Sequence, residues 1–199
     1  MFWSSSPIEG SWLQEFTGGT GVVGGLDGEI DHVNLAYAWQ DFDEAVLFMS
    51  SALALRPDAP AEVPGPLGLI RSQVMRTPDG ILRVPINLAP PTAKPPARHV
   101  AVRTSDVFAV ARRARERGID HLRIPANYYD DLAARFDLPD ETLASLRELD
   151  LLYDRDAHGE FIHFYTRTIG DVFFEVVERR GGYDGYGGAN APIRLAAQR

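Results

Sequence analysis

The chain has 199 residues, 45% hydrophobic and 10% aromatic: enough for one generous domain, or two small modules sharing a core, and too apolar for a disordered chain. Its net charge of −8 argues against a nucleic-acid or anionic-membrane surface as main partner, and the absence of cysteine excludes disulfides, thiolate metal sites and cysteine nucleophiles. No apolar stretch is long enough to span a bilayer, and MFWSSSPIEG lacks the basic start and apolar core of a secretory signal, so a soluble, cytoplasmic protein is expected.

Residues 1–29 end in GGTGVVGGLDGE, Gly/Ser-rich chemistry that predicts an N-terminal segment or linker, although Phe2, Trp3, Trp12 and Phe16 could dock on the body. Regular patterning starts at residue 30. IDHVNLAY predicts a strand, and DFDEAVLFMSSAL a helix with Asp41 as N-cap, Glu44 completing a capping box, and Phe42, Val46, Met49 and Leu53 on its apolar face. After a Pro-rich loop, LGLIRSQVMR and ILRVPINLA predict two strands joined at Pro78-Asp79-Gly80, and a second Pro-rich stretch, APPTAKPPA, closes this half.

The second half opens in the same way. RHVAVRT predicts a strand, and SDVFAVARRARERG a helix with a Ser/Asp cap and Gly118 as its stop. The basic run at 112–117 falls on this helix and is its solvated face. Helices follow around NYYDDLAARF and, after Pro139, DETLASLREL, then strands at LLYDRD, EFIHFYT and DVFFEVVER. Both halves thus share a βαβββ plan, with modules at about 30–90 and 97–199 of one domain, 30–199. The fold class is α+β: paired modules curving into a half-open barrel around a metal.

His32, His99 and Glu175 carry most of the chemical information. Each sits in an apolar strand, where an unpaired imidazole or carboxylate is costly to bury. The two histidines occupy matching places in the two halves, and Glu175 shares a strand face with Phe173 and Val177. Two imidazoles and one carboxylate on one side of a metal leave positions open for substrate and dioxygen, as in the facial triad of non-haem Fe(II) oxygenases. Other polar residues have blander explanations. His121 and His158 fall near predicted turns and are expected at the surface; Asp130-Asp131 and Asp154 with Asp156 flank helix or turn boundaries, where capping accounts for them. Tyr129, Leu132, Ala133 and Phe136 form a helical core stripe.

The segments IDHVNLA, EAVLFMSSAL, GLIRSQVMRTPDGILRVPINLA, RHVAVRTSDVFA, IPANYYDDLAARFDL, LLYDRD and FFEVVERRGGYDGYGGANAPIRLAAQ resemble the metal-binding C-terminal domain of 4-hydroxyphenylpyruvate dioxygenases, in the vicinal oxygen chelate (glyoxalase-like) superfamily. They are more similar still to the dioxygenase-like half of bacterial 3-dehydroshikimate dehydratase fusion proteins. The resemblance implies His32, His99 and Glu175 as ligands of Fe(II) or another divalent metal. Where the dioxygenases carry Gln and Phe on the strand before the glutamate, this chain has His163 and Tyr165. By the same resemblance Asn87 of Pro85-Ile86-Asn87 and Tyr186 line the substrate pocket, His163 and Tyr165 are candidate catalytic and substrate-binding residues, and Ala191 replaces a pocket-closing Phe. A more polar and more open pocket is expected.

The function so implied is an Fe(II)-dependent, dioxygenase-like protein acting with dioxygen on a small aromatic or 2-keto acid compound of aromatic catabolism. No second organic cofactor is needed where the substrate contains its own 2-keto acid. The alternative is a non-catalytic, accessory metal-binding domain of a 3-dehydroshikimate dehydratase system of the protocatechuate/quinate pathway. A homo-oligomer or a fused upstream domain fits either. No nucleic-acid or membrane partner is expected, nor dehydratase activity from this chain by itself.

Overall fold

A computed structural model of the protein describes residues 29–65, 68–88 and 97–198. The expected linker, save Glu29, and the second Pro-rich stretch, save Ala97, lie outside the described residues. The elements run β1 (Ile30–Tyr37), α1 (Trp39–Ala52), β2 (Arg56–Pro57), β3 (Ala61–Gly65), β4 (Gly68–Arg76), β5 (Arg83–Leu88), β6 (Arg98–Arg103), α2 (Val107–Glu116), α3 (Ala126–Arg135), α4 (Asp140–Glu148), β7 (Leu152–Arg155), β8 (Gly159–Tyr165), β9 (Val172–Gly181) and α5 (Ala191–Ala197). One mixed sheet takes the order β2-β4-β5-β1-β6-β9-β8-β7, with β3 also paired to β4.

The two histidine-bearing runs are neighbours at the middle of this sheet: β1 and β6 pair antiparallel, with Val33 opposite Val100. On each side the pattern repeats. β1 lies parallel to β5, which pairs antiparallel with β4; β6 lies parallel to β9, which pairs antiparallel with β8. The paired-module α+β architecture therefore matches the expectation, with the seam between modules running through β1 and β6.

Three local features differ. α1 starts at Trp39 with Ala38 as its N-cap, so Asp41 does not cap it. Asp41 lies in the first turn instead, where a carboxylate still complements the helix dipole. The first Pro-rich loop contains β2 and β3, because edge positions against β4 tolerate prolines that a central strand would reject. The C-terminal GYGGANAPIRLAAQ, which carries glycines typical of loops, holds a 3-10 turn (Gly188–Asn190) followed by α5, with Pro192 in its first turn.

Period explains burial. α1 turns Phe42, Ala45 and Met49 onto Met75, Val84 and Ile86 of β4 and β5. α2 is capped by Asp106, whose carboxylate accepts from Ala109 N–H at 2.9 Å, and Gly118 adopts φ +75° just beyond its end. α2, α3 and α4 cover β7 and β8 through Ala111, Leu132, Leu146, Ile162 and Phe164, all at most 1% exposed. Of the expected stripe, Tyr129 and Leu132 join this core and Phe136 packs partly buried against it, but Ala133 is exposed, and Tyr128 is buried in its stead. His121 does not lie at the surface: it is 5% exposed and stacks on Phe164 with ring centroids 4.3 Å apart. His158 is exposed. Among the described residues no helix is long and apolar enough to cross a membrane.

Leu132→Ala is expected to cost ~2–5 kcal/mol by opening a cavity in this core. Leu47, 65% exposed on α1, should change stability by no more than about 0.5 kcal/mol when replaced by Ala. Urea unfolding of the two variants measures the contrast.

Candidate metal centre

Alternation along β1, β6 and β9 points His32, His99 and Glu175 to the same concave face of the sheet. Their donor atoms converge. His32 Nε2 lies 3.2 Å from His99 Nε2, and Glu175 Oε2 lies 3.1 Å and 3.0 Å from those two nitrogens. Three donors at right angles around a divalent ion, each about 2.1 Å from it, are about 3.0 Å apart. The triangle therefore has the size of a facial ligand set, and the three residues could hold a metal ion. Glu175 Oε2 is buried without a hydrogen bond of good geometry, although both imidazole nitrogens stand about 3 Å away.

Repetition of the modules explains why there are three donors. Glu175 of β9 lies opposite Ala101 of β6, two residues beyond His99. In the first module β5 runs beside β1 with His32 opposite Arg83 and Leu35 opposite Ile86. The position matching Glu175 is thus held by Pro85, opposite Asn34, and a proline side chain offers no donor. That side of the triangle stays free of protein ligands.

All three side chains are at most 4% exposed, so their charges are set by one another. Burial alone would lower the His32 pKa, but Glu175 and Asp31 outweigh it and hold the ring up at about 9. Burial dominates at His99 and pushes it down to about 4 against the attraction of Glu175. Burial would raise Glu175, yet the charge on His32 and the hydrogen bond from His163 keep its carboxyl well below the usual range. The Glu175 carboxylate is therefore ionised and the His99 ring neutral, whereas His32 carries a proton that it must release when a metal binds.

Two supports fix the ligands. A bulge between Ile30 and His32 turns Asp31 toward the ring of its own neighbour. Its Oδ1 lies 2.9 Å from His32 Nδ1 and accepts from Arg179 Nη2 at 2.8 Å, while Oδ2 accepts from Arg179 Nε at 2.6 Å. This carboxylate–histidine contact leaves Nε2 of His32 for a metal. The second support is His163. Asn190 Nδ2 donates to His163 Nε2 at 3.0 Å and to Tyr153 O at 3.1 Å, which places the His163 proton on Nδ1, 2.5 Å from Glu175 Oε1. The chain reaches this position only because Gly187 adopts φ +67°, where a Cβ would lie 2.7 Å from Phe161 Cε1 and 3.2 Å from His163 Cε1.

Beside the triad lies a cavity with about 40 Å³ of free volume, room for a few waters. Asn87, Tyr165, Tyr186 and Ala191 line it, as the pocket expectations place them. His163 does not: it is fully buried behind Glu175, with one ring nitrogen at Glu175 Oε1 and the other at Asn190 Nδ2. The space left by Ala191 is shared with Tyr186, Arg194 and Leu195. Burial and the negative Glu175 opposite it hold the Tyr165 hydroxyl well above its usual pKa, so it stays protonated.

Two polar side chains of the wall, Asn34 and Arg194, were not anticipated from the sequence. Asn34, two residues beyond His32, was legible from strand alternation; its Oδ1 accepts from Asn87 Nδ2 at 3.0 Å. A larger apolar groove of about 600 Å³ on the outer face, lined by Phe164, Ile169, Phe174 and Val176 among others, contains none of the expected site residues.

No family model matches the chain. It is 42% identical over 181 residues to a 3-dehydroshikimate dehydratase of Pseudomonas aeruginosa, covering 84% of this chain and 28% of the relative. It is 32% identical over 143 residues to a 4-hydroxyphenylpyruvate dioxygenase of the same organism, covering 65% of this chain and 40% of the relative. The solved structure of a xylose isomerase-like TIM barrel/4-hydroxyphenylpyruvate dioxygenase fusion protein superposes with a TM-score of 0.76 at 39% identity, over 88% of this chain and 30% of that one. The chain thus spans less than a third of the dehydratase and the fusion protein that it matches. A 4-hydroxymandelate synthase mutant from Streptomyces coelicolor, 22% identical with a TM-score of 0.74, shares the fold over 84% of this chain and 52% of its own.

Asp31→Ala leaves the Arg179 guanidinium without its carboxylate and His32 Nδ1 without its partner, and is expected to cost ~3–5 kcal/mol in urea unfolding at neutral pH. Arg179 and His32 hold the Asp31 carboxyl below its ordinary pKa despite burial. Its contribution is therefore complete above the unfolded value of roughly 3.9 and declines only as pH falls further. The stability difference between wild type and Asp31→Ala should accordingly persist from pH 8 to pH 5.

Proposed function

Because the chain belongs with the 4-hydroxyphenylpyruvate dioxygenase-like halves of these fusion proteins, within the vicinal oxygen chelate superfamily, we propose that it is a non-haem Fe(II)-dependent dioxygenase-like protein acting on an aromatic or 2-oxo acid compound. The observation that carries this reading is the triangle of His32 Nε2, His99 Nε2 and Glu175 Oε2, with edges of 3.0–3.2 Å, fully desolvated and faced by Pro85 rather than a fourth ligand.

His32, His99 and Glu175 would hold the metal. When bound, Fe(II) supplies Lewis-acid polarisation of a chelating substrate oxygen and a neighbouring position for dioxygen. The remaining roles belong to the chain. Asp31 orients His32, and His163, its tautomer fixed by Asn190, orients Glu175. Asn34 and Asn87 present amides to substrate oxygens, and Tyr165 offers a proton-bearing hydroxyl at the wall. The enclosed apolar faces around Phe161 and Phe173 keep bulk water from the reacting atoms.

A second reading has specific support: the relative at 42% identity is a 3-dehydroshikimate dehydratase of which the chain matches 28%, and the cavity has room for only a few waters. On that reading the chain is an accessory metal-binding domain of a 3-dehydroshikimate dehydratase system.

Anaerobic titration should load one Fe(II) per chain in wild type and fail to reach that stoichiometry in Glu175→Ala; unchanged binding in the variant would sink both readings. His163→Leu should keep the site but weaken it by about 10–100-fold. Oxygen-electrode assays of the Fe(II)-loaded chain with aryl-pyruvates and catechols then separate the two readings. Substrate-dependent uptake that disappears in His99→Ala supports the dioxygenase, and stoichiometric iron without uptake on any substrate supports the accessory domain.

A further inference from the structure

Among the described residues Arg194 is the one cation of the cavity wall. It lies on α5, is 7% exposed, and shares the cavity with His99, Asn34, Asn87 and Tyr165. Its Nη1 donates to Gln198 Oε1 at 2.9 Å, and its guanidinium carbon lies 5.3 Å and 5.9 Å from the ring centroids of Phe173 and Tyr165. Among the described residues no carboxylate pairs with it. The comparison with other buried arginines is informative: Arg83, 8% exposed, meets Asp184 at 2.6 Å, and Arg179 meets Asp31 at 2.6 Å. The Arg194 guanidinium thus has one amide partner and two ring faces in place of a carboxylate. Its planar fork of donors matches the two oxygens of a carboxylate.

The surroundings narrow the ligand further. The Asn34–Asn87 pair uses one amide hydrogen and one amide oxygen internally, leaving other amide groups of the pair to meet hydroxyl or carbonyl oxygens. The aromatic rings of Tyr165 and Tyr186 flank the same space.

We propose that Arg194 is the anion-recognising residue of this site, and that the ligand is a small ring compound bearing a carboxylate separate from the oxygens that face His32, His99 and Glu175. This assignment rests on the metal-site reading for the orientation of the ligand, but not for the pairing itself. Arg194 would bind and orient; no bond is made or broken by it.

The test compares an acid with its neutral counterpart on the full chain loaded with Co(II): isothermal titration with 3,4-dihydroxybenzoate and with 3,4-dihydroxybenzamide. Wild type should bind the acid at least about tenfold more tightly, as expected of a charge-assisted pair. Arg194→Gln should bind the two alike, and Arg194→Lys, which keeps the charge and guards against a folding artefact, should retain part of the preference. Equal affinities in wild type, no binding of the acid, or a preference that survives in Arg194→Gln would overturn the assignment. Co(II) stoichiometry in the same samples keeps the two claims apart. Stoichiometric Co(II) without acid preference defeats Arg194 alone. A chain that binds no Co(II) defeats the metal reading, and the acid–amide comparison on that metal-free protein still decides Arg194.

Discussion

A fully buried carboxylate, Glu175, is the constraint around which this molecule is arranged. Taking an ionised carboxylate out of water costs several kcal/mol unless other groups compensate. Here His163 supplies a hydrogen bond to Oε1, and His32 and His99 stand about 3 Å from Oε2. Each of those groups is in turn held from behind, His32 by Asp31 and Arg179, His163 by Asn190 and, beyond it, Tyr128, whose hydroxyl lies 3.1 Å from Asn190 Oδ1. The polar network thus runs from the edge of the barrel to the helical layer, and leaves Oε2 as the point with nothing aligned to it.

Duplication provides the frame and its breaking provides the chemistry. Two similar modules meet along β1 and β6, and each contributes a histidine at an equivalent position. The parallel neighbours of these strands, β5 and β9, then differ where it matters: Pro85 on one side, Glu175 on the other. A symmetric pair of carboxylates would surround an ion; one carboxylate leaves a face of it to small molecules. The cavity bordered by Asn34, Asn87, Tyr165 and Arg194 lies next to His99.

Much of this was legible in the sequence because period-two alternation is a local property. IDHVNLAY, RHVAVRT and DVFFEVVER announce strands, and polar residues at their inward positions announce a site. The same rule reaches Asn34 once His32 is placed. Edge strands β2 and β3 were hidden by their prolines, and α1 begins ahead of Asp41 because backbone geometry at Ala38, rather than a side-chain cap, opens it. The role of His163 could not be read locally. It depends on a glycine at φ +67° letting the chain close over the ring and bring Asn190 against it, 27 residues away in sequence. Arg194 was hidden for a related reason: only the fold of α5 over the cavity places that guanidinium at the wall. His121 was misplaced because its neighbours resemble a turn, whereas Phe164 and the Leu149 carbonyl bury it from a distance in sequence.

The central claim is that three strands of two similar modules build one metal site with an open face. Crystals grown anaerobically with Fe(II), with diffraction recorded on both sides of the iron absorption edge, address it most directly. The account predicts a single anomalous peak within bonding distance of His32 Nε2, His99 Nε2 and Glu175 Oε2, with no ligand from Pro85. A peak elsewhere, or a triad that retains its own contacts with no metal among them, would contradict it.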